Sequence, residues 1–345
     1  MLTLSLSDDE IADIGTLVDR LARRFETVES PEFQRESRVY SEELPRRVRR
    51  TVNEFRLTEP AAALLVSGLP VVEAELGPTP ATWEDKPVPS PTLHHDIAFF
   101  LIAGLLGDPI AWATQQAGYI MHDVFPIAGH ENEQIGFGSE VPLAWHTEDA
   151  YHPLRTDYLG LMCLRNPDAV GTTLADVADL EIDDRVRKIL AQERFCILPD
   201  DSHRVTGQGN GAAHGGNGKA AQLAAESRAR VTRALESPEA IAVLFGAEDD
   251  PYLQVDPHYM TGVQAGPTET EALEALAAAV EAKMTSVILN QGDILFVDNY
   301  RAVHGRKAFR ARKDGTDRWL RRLNVARDLR KSRKSRLTAE SRVIY

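Results

Sequence analysis

Three side chains carry the chemistry of this chain. His146 and Glu148 stand one residue apart in Trp145-His146-Thr147-Glu148-Asp149, and His304 lies far downstream. Side chains on an extended strand repeat every two residues, so an imidazole and a carboxylate at this spacing share one face. With a distant His added, they make a two-histidine, one-carboxylate facial triad. Such a triad leaves positions open on a non-haem Fe(II) for a co-substrate and dioxygen. On its own, His-x-Glu is more often a surface polar pair than a metal site, and the downstream half must supply the rest. Residues 290–306 read as a turn, a buried strand and a polar corner that carries His304.

Fourteen residues after His304, Arg318 opens a further strand pattern through Val325. Alternation places Arg318, Leu320, Arg322 and Asn324 on one face. Two arginines facing inward are costly unless an anion meets them, and the planar guanidinium fork matches a carboxylate. The alternative is an ordinary surface strand with ion pairs.

Many elements must cooperate to position these residues. Ser7 and Glu10 form a capping-box pattern ahead of Ile11, Ile14, Leu17, Val18, Leu21 and Phe25, which fall on one helical face. A second helix follows Pro45, and a buried apolar helix is expected from Asp96 to Leu106, stopping at Gly107-Asp108-Pro109. Leu64 to Pro70 reads as a strand ended by a turn. After Pro109 the texture changes to short strand-like runs at 112–114, 120–127, 158–164, 195–198, 240–245, 286–289, 294–297 and 321–326. Without regular strand–helix alternation, this pattern predicts a mainly β fold of the sandwich or jelly-roll type. From Thr206 to Gly218 the chain is rich in Gly, Asn, Ala and His, which suits either a mobile lid or a plain loop. Ala220 to Glu236 then reads as helical.

Composition excludes several classes of function. A formal net charge of −13 argues against binding driven by nucleic-acid phosphates. The longest apolar run, Ile97 to Leu106, is too short for a membrane span and contains Gly104. The first five residues lack the basic and apolar regions of a signal peptide. Cys163 and Cys196 are the only cysteines, which points to two buried free thiols in a reducing cytoplasm.

Taken jointly, His146-x-Glu148, Asp298-Asn299-x-Arg301-x-x-His304-Gly305-Arg306 and Arg318 resemble the clavaminate synthase-like (TauD/TfdA-type) branch of the Fe(II)/2-oxoglutarate-dependent oxygenases. The similarity is greatest to the amino-acid hydroxylases of non-ribosomal peptide antibiotic pathways, a group acting on arginine and enduracididine. It runs from Glu43-Leu44-Pro45 through Trp112-Ala113-Thr114-Gln115-Gln116 and Pro199-Asp200-Asp201-Ser202-His203 to the end of the sequence.

The resemblance implies a double-stranded β-helix (jelly roll) core with flanking helices and a Gly-rich lid insertion. It implies one oxygenase domain over 1–345, with a helical and mixed part over 1–108 packed on a core over 109–345 and a lid at about 200–236. His146, Glu148 and His304 would hold the iron. Arg318 would pair with the distal carboxylate of 2-oxoglutarate, assisted by Thr172. Arg322 would take the substrate α-carboxylate, with Gln115 and Glu148 near its α-amine, and Asp200 and Asp256 would face its cationic end. Arginine hydroxylases of this type read Asp-x-Asp where this chain reads Asp256-Pro257-His258. His258 therefore joins the substrate residues as a mixed partner for Asp256, suited to a cyclic guanidine or a neutral ureido group.

The expected reaction is β(C3)-hydroxylation of L-enduracididine or L-arginine with Fe(II), 2-oxoglutarate and O2. Alternatives of the same chemistry are γ-hydroxylation of arginine or citrulline, arginine dihydroxylation or desaturation. A different-class alternative is a non-catalytic β-sandwich that binds a metal or an amino acid. The expected partner is a free amino acid, and the sequence leaves the oligomeric state open.

Overall fold

The computed structural model describes the chain except residues 86, 88, 201, 202, 204–217 and 261–265. Two sheets frame the core. The larger runs Leu2–Ser5, Ala63–Ser67, Ile294–Asp298, Tyr158–Arg165, Trp319–Ala326, Asp108–Trp112 and Val343–Ile344, and His122–Val124 pairs with Trp319–Ala326 off this path. The smaller orders Thr285–Ile288, Gly171–Asp176, Ala302–Arg306 and Leu143–His146. Neighbours distant in sequence lie side by side, and the result is the jelly-roll core with flanking helices that the resemblance implied.

The strands of both sheets read as β because their buried positions suit a pleated, packed surface. Tyr158–Arg165 is buried at every position, as expected of a central strand covered on both faces. One of its faces meets the smaller sheet. There Leu159, Leu161, Cys163, Leu295, Val297 and Leu320 pack with Leu174 and Ala302. Its other face meets the helix Leu93–Gly104, where Phe99 and Phe100 are fully buried. Burying each such ring contributes about 1.5–3 kcal/mol. Gly160 permits this contact, because a Cβ there would sit 2.9 Å from the Phe99 ring.

The N-terminal helix Asp8–Ala22 carries the expected capping box, with Ser7 and Glu10 exchanging side-chain and backbone bonds. The helix after Pro45 is Arg46–Thr58. The strand pattern at 195–198 makes only a single bridge, Phe195 to Ile241. The sequence reading left the helix Pro267–Lys283 unassigned, although Pro267 stands at its start. Ala272, Leu276 and Val280 bury its stripe behind the smaller sheet. Its Glu/Ala-rich sequence has little apolar contrast, so periodicity hid it. The lid expectation at Thr206 to Gly218 lies outside the described residues, apart from Gly218, which begins the helix Gly218–Glu236. Among the described residues no helix is long and apolar enough to cross a membrane.

Candidate active site

Strand pairing builds the centre. In the smaller sheet His304 lies directly opposite His146 across an antiparallel pair. Directly opposed residues bring their Cβ atoms within about 5.5 Å, and here the two imidazole centroids stand 4.6 Å apart. The close approach depends on Gly305, where a Cβ would lie 2.6 Å from the Leu143 carbonyl oxygen. His304 therefore sits within the strand Ala302–Arg306 and not on a corner after one, a correction to the sequence reading. The local sequence disguised this strand because His304, Gly305 and Arg306 break its apolar pattern.

A second correction concerns Glu148. The strand ends at His146, so His146 and Glu148 do not share a ladder. Alternation persists for two more residues because other groups hold the backbone. Thr147 donates its N–H to the Val255 carbonyl at 2.9 Å. The Glu148 N–H is accepted by Asn299 Oδ1 at 2.7 Å, and Asn299 Nδ2 donates to the Glu148 and Thr156 carbonyls. The sequence reading gave Asn299 no role, although Asn299 stands within the Asp298-Asn299-x-Arg301 pattern that carries the resemblance. Asp149 then turns the chain with φ +49°, the left-handed region that a non-glycine residue adopts at a cost of about 1–2 kcal/mol.

Glu148 Oε2 lies 3.4 Å from His304 Nε2 and 3.7 Å from His146 Nε2. Adjacent ligands held about 2.1 Å from an octahedral ion stand about 3 Å apart, so the three atoms fit one metal with little adjustment. His146 Nδ1 lies 2.8 Å from the Ala144 carbonyl, which keeps the proton on Nδ1 and the Nε2 lone pair free for a metal. Burial opposes protonation of His146, but Glu148 and Asp256 outweigh it and raise its pKa to about 9. Burial likewise pushes Glu148 upward, yet Arg322 and the two imidazoles hold it well below the usual carboxylate range. Burial and the neighbouring His146 lower His304. A carboxylate and two imidazoles crowded in this way are a preformed site for a divalent cation.

The centre opens on a cavity of about 1000 Å³ between the sheets. Arg318, Leu320 and Arg322 line it, as alternation predicted, although a register shift falls between Trp319 and Leu320. Arg321 points the other way and binds Asp96 at 2.8 Å, pinning this strand to the helix Leu93–Gly104. Arg318 is buried with no hydrogen-bonded or ion-paired partner among the described residues. Burial drives its pKa down to about 10. Thr172 is buried on the same cavity wall. Arg306, which also lines the cavity, donates to the Gly138 and Val141 carbonyls and leaves Arg318 unanswered.

Arg322 reaches Glu148 Oε1 at 2.8 Å, Gln115 Oε1 at 2.7 Å and His122 Nδ1 at 2.7 Å. Sequence reasoning missed His122, which lies inside an otherwise ordinary strand pattern. Asp256 is buried and Asp200 half-buried on the cavity, while His258 stands exposed at its rim. All of the site residues read from the sequence thus line one cavity, though at unequal depths. His152 is not among them: its Nδ1 accepts from the Leu154 N–H and its ring packs on Trp112.

Residues 95–324 match the model of the "Taurine catabolism dioxygenase TauD, TfdA family". The chain belongs to this family. Among its relatives, the enduracididine β-hydroxylase of Streptomyces hygroscopicus is 63% identical over the full length of both chains. An L-ornithine/L-arginine 3-hydroxylase of Catenulispora acidiphila is 42% identical, again over both full lengths. Among solved structures, the non-haem iron oxygenase OrfP with Fe, succinate and (3S)-hydroxy-L-Arg superposes with a TM-score of 0.91 at 36% identity, covering all of both chains. Another OrfP structure holds Fe and α-ketoglutaric acid.

The chain is a TauD/TfdA-family dioxygenase that uses Fe(II), 2-oxoglutarate and O2. The donor set fits such a metal, and the buried, unanswered Arg318 fits the far carboxylate of a dicarboxylic co-substrate. Iron and 2-oxoglutarate, when bound, supply the oxidising power for C–H hydroxylation, with succinate and CO2 as by-products. The residues themselves hold the ligands, exclude water and orient what enters.

Proposed function

We propose that this dioxygenase hydroxylates the β-carbon (C3) of a free guanidino amino acid, L-enduracididine or L-arginine. His146, Glu148 and His304 hold the iron, and Arg318 and Thr172 receive 2-oxoglutarate. Arg322 takes the substrate α-carboxylate, with Gln115 and Glu148 near the α-amine. Asp200 and Asp256, with His258 at the rim, meet the cationic end.

One observation carries the substrate class. Asp256 is buried on the cavity wall, and no Lys or Arg pairs with it among the described residues. Its carboxylate accepts the backbone N–H groups of His258 and Tyr259, and burial raises its pKa. A buried carboxylate is stabilised by an incoming guanidinium, which matches it with two parallel hydrogen bonds. The relatives named as enduracididine and arginine hydroxylases support the same class.

The reading extends to the whole chain, 1–345, as one catalytic unit. In its support, Leu2–Ser5 and Ala63–Ser67 complete the larger sheet beside Ile294–Asp298. It extends also to a cytoplasmic enzyme of non-ribosomal peptide antibiotic biosynthesis, acting on a free amino acid and not on nucleic acid or membrane. The net charge of −13 and two unpaired cysteines support this. Incubation with L-arginine, L-enduracididine and L-citrulline tests the proposal. Succinate release and a single added oxygen at C3, located by NMR, are expected with a guanidino substrate. Release that no guanidino amino acid stimulates refutes it.

A further inference from the structure

His203 is fully buried and lies three residues after Asp200. Its ring is gripped from every side. Nε2 lies 2.9 Å from Asp149 Oδ1 and Nδ1 lies 2.9 Å from Thr114 Oγ1. The rings of Tyr151 and Trp112 pack edge-on at 5.1 and 5.5 Å. Its backbone N–H donates to the Asp200 carbonyl at 3.1 Å. The mechanism gives this imidazole no chemistry, yet it has more partners than either histidine of the triad.

What it grips is adjacent to the centre. Asp149 follows Glu148 directly, and its strained turn helps to aim that carboxylate. Trp112 Nε1 donates to Asp149 Oδ2 at 2.5 Å, while Gln115 Nε2 and His203 share Oδ1. Asp149, Asp200 and His203 offer three atoms close enough for a second metal. Both Asp149 oxygens are already occupied by these donors, so the group reads as a fastening. A strained backbone persists where the surroundings over-determine it, and these three donors do so.

On the other side, the Leu198 N–H donates to the Tyr259 carbonyl at 3.0 Å, in the short helix that follows Asp256. Asp200 therefore lies between two anchors, Leu198 on the Asp256 helix and His203 on the ligand turn. A carboxylate reaching into a cavity from outside a helix or strand must lose backbone freedom before it can bind. The anchors remove that freedom in advance.

We infer that His203 is a positioning residue for substrate recognition: held by its bonds to Asp149 and Thr114, it pins the Asp200 backbone carbonyl through its own N–H, so that the Asp200 carboxylate faces the cationic end of the amino acid. The inference rests on the proposed contact between Asp200 and substrate. It assigns His203 no contact with iron or 2-oxoglutarate: among the described residues it bonds neither Arg318 nor the triad, and Trp112 and Gln115 still hold the Asp149 turn when His203 is replaced.

The test uses the full chain with Fe(II) and 2-oxoglutarate under anaerobic conditions, and L-arginine as the probe. Calorimetric titration reads the L-arginine affinity, and the visible charge-transfer band reads 2-oxoglutarate binding. His203→Phe keeps the ring and loses both bonds. It should weaken L-arginine at least tenfold and leave 2-oxoglutarate within twofold. His203→Gln returns an N–H near the Nε2 position and should recover most of the loss. In an Asp200→Ala background, His203→Phe should add less than twofold, since residues acting through one contact are not additive. Equal weakening of both ligands, or the same penalty with and without Asp200, overturns the inference. Asp200→Ala that leaves L-arginine within twofold overturns the substrate reading and this inference with it. Asp200→Ala that weakens binding while His203→Phe does not overturns only this one. Should His203→Phe fail to fold, Thr114→Val removes the Nδ1 anchor and is held to the same outcomes.

Discussion

Arg318→Met removes a buried charge that no described residue answers, and it should make the ligand-free protein more stable while destroying co-substrate binding. Burial moves the Arg318 pKa from 12.5 to about 10. A base whose folded pKa is depressed penalises the folded state fully below that pKa, and the penalty fades only as pH rises from about 10 toward 12.5. At pH 7 the whole penalty applies. At 1.36 kcal/mol per pKa unit it amounts to about 3 kcal/mol. Methionine fills most of the same volume without the charge. It also relieves Arg306, whose own pKa is lowered to about 10 by burial and by Arg318.

Unfolding entropy of about 2.1 cal/mol/K per residue gives about 0.7 kcal/mol/K for a chain of this size, so the gain should raise Tm by about 4 °C. The assay is thermal unfolding of metal-free protein at pH 7, with and without Fe(II) and 2-oxoglutarate. The parent should gain about 2.7 kcal/mol at a ligand concentration one hundred times Kd, and Arg318→Met should gain nothing from 2-oxoglutarate. Arg318→Lys keeps the charge and loses the fork, so it should gain no comparable stability and bind 2-oxoglutarate at least tenfold more weakly than the parent. An Arg318→Met protein that melts below the parent without ligand would refute the reasoning, because the guanidinium would then be making structural bonds.

His304→Ala removes one of three ligands and should weaken Fe(II) at least a hundredfold by equilibrium dialysis, with the metal-free fold retained; undiminished affinity would dissolve the triad. His258→Asp should improve the L-arginine KM by no more than about fivefold, since a carboxylate added at an exposed rim contributes about 1 kcal/mol at most. A larger gain would mean that His258 enters the cavity. Burial lifts Asp298 to about 7 from 3.8, so the folded state is favoured at low pH and loses stability as pH rises from about 4 through 7. Asp298→Asn should therefore match the parent near pH 4 and exceed it by up to about 4 kcal/mol near pH 8 in urea unfolding; a constant difference across that range would refute the assignment.

Periodicity and residue chemistry supplied candidate donor types, one shared face for Arg318 and Arg322, a buried helix expected at 96–106 and the β-rich class, and the family resemblance chose among the alternatives they left open. These are local properties: alternation, capping and apolar runs are written within a few residues of each other. Depth and partnership were decided elsewhere. His304 faces His146 only because strands far apart in sequence pair in register, and Gly305 matters only because Leu143 O approaches it. Glu148 reaches the centre beyond the end of its strand because Asn299 and Val255 hold its backbone. Asp256 and His258, two residues apart, separate into a buried carboxylate and an exposed rim imidazole because a short helix begins between them. His203 stands in a stretch quoted for the resemblance without a role, and it meets Asp149 and Thr114 only in the folded chain. Such contacts close loops of tens to more than a hundred residues, and no local pattern records which side chains will meet when the loops close.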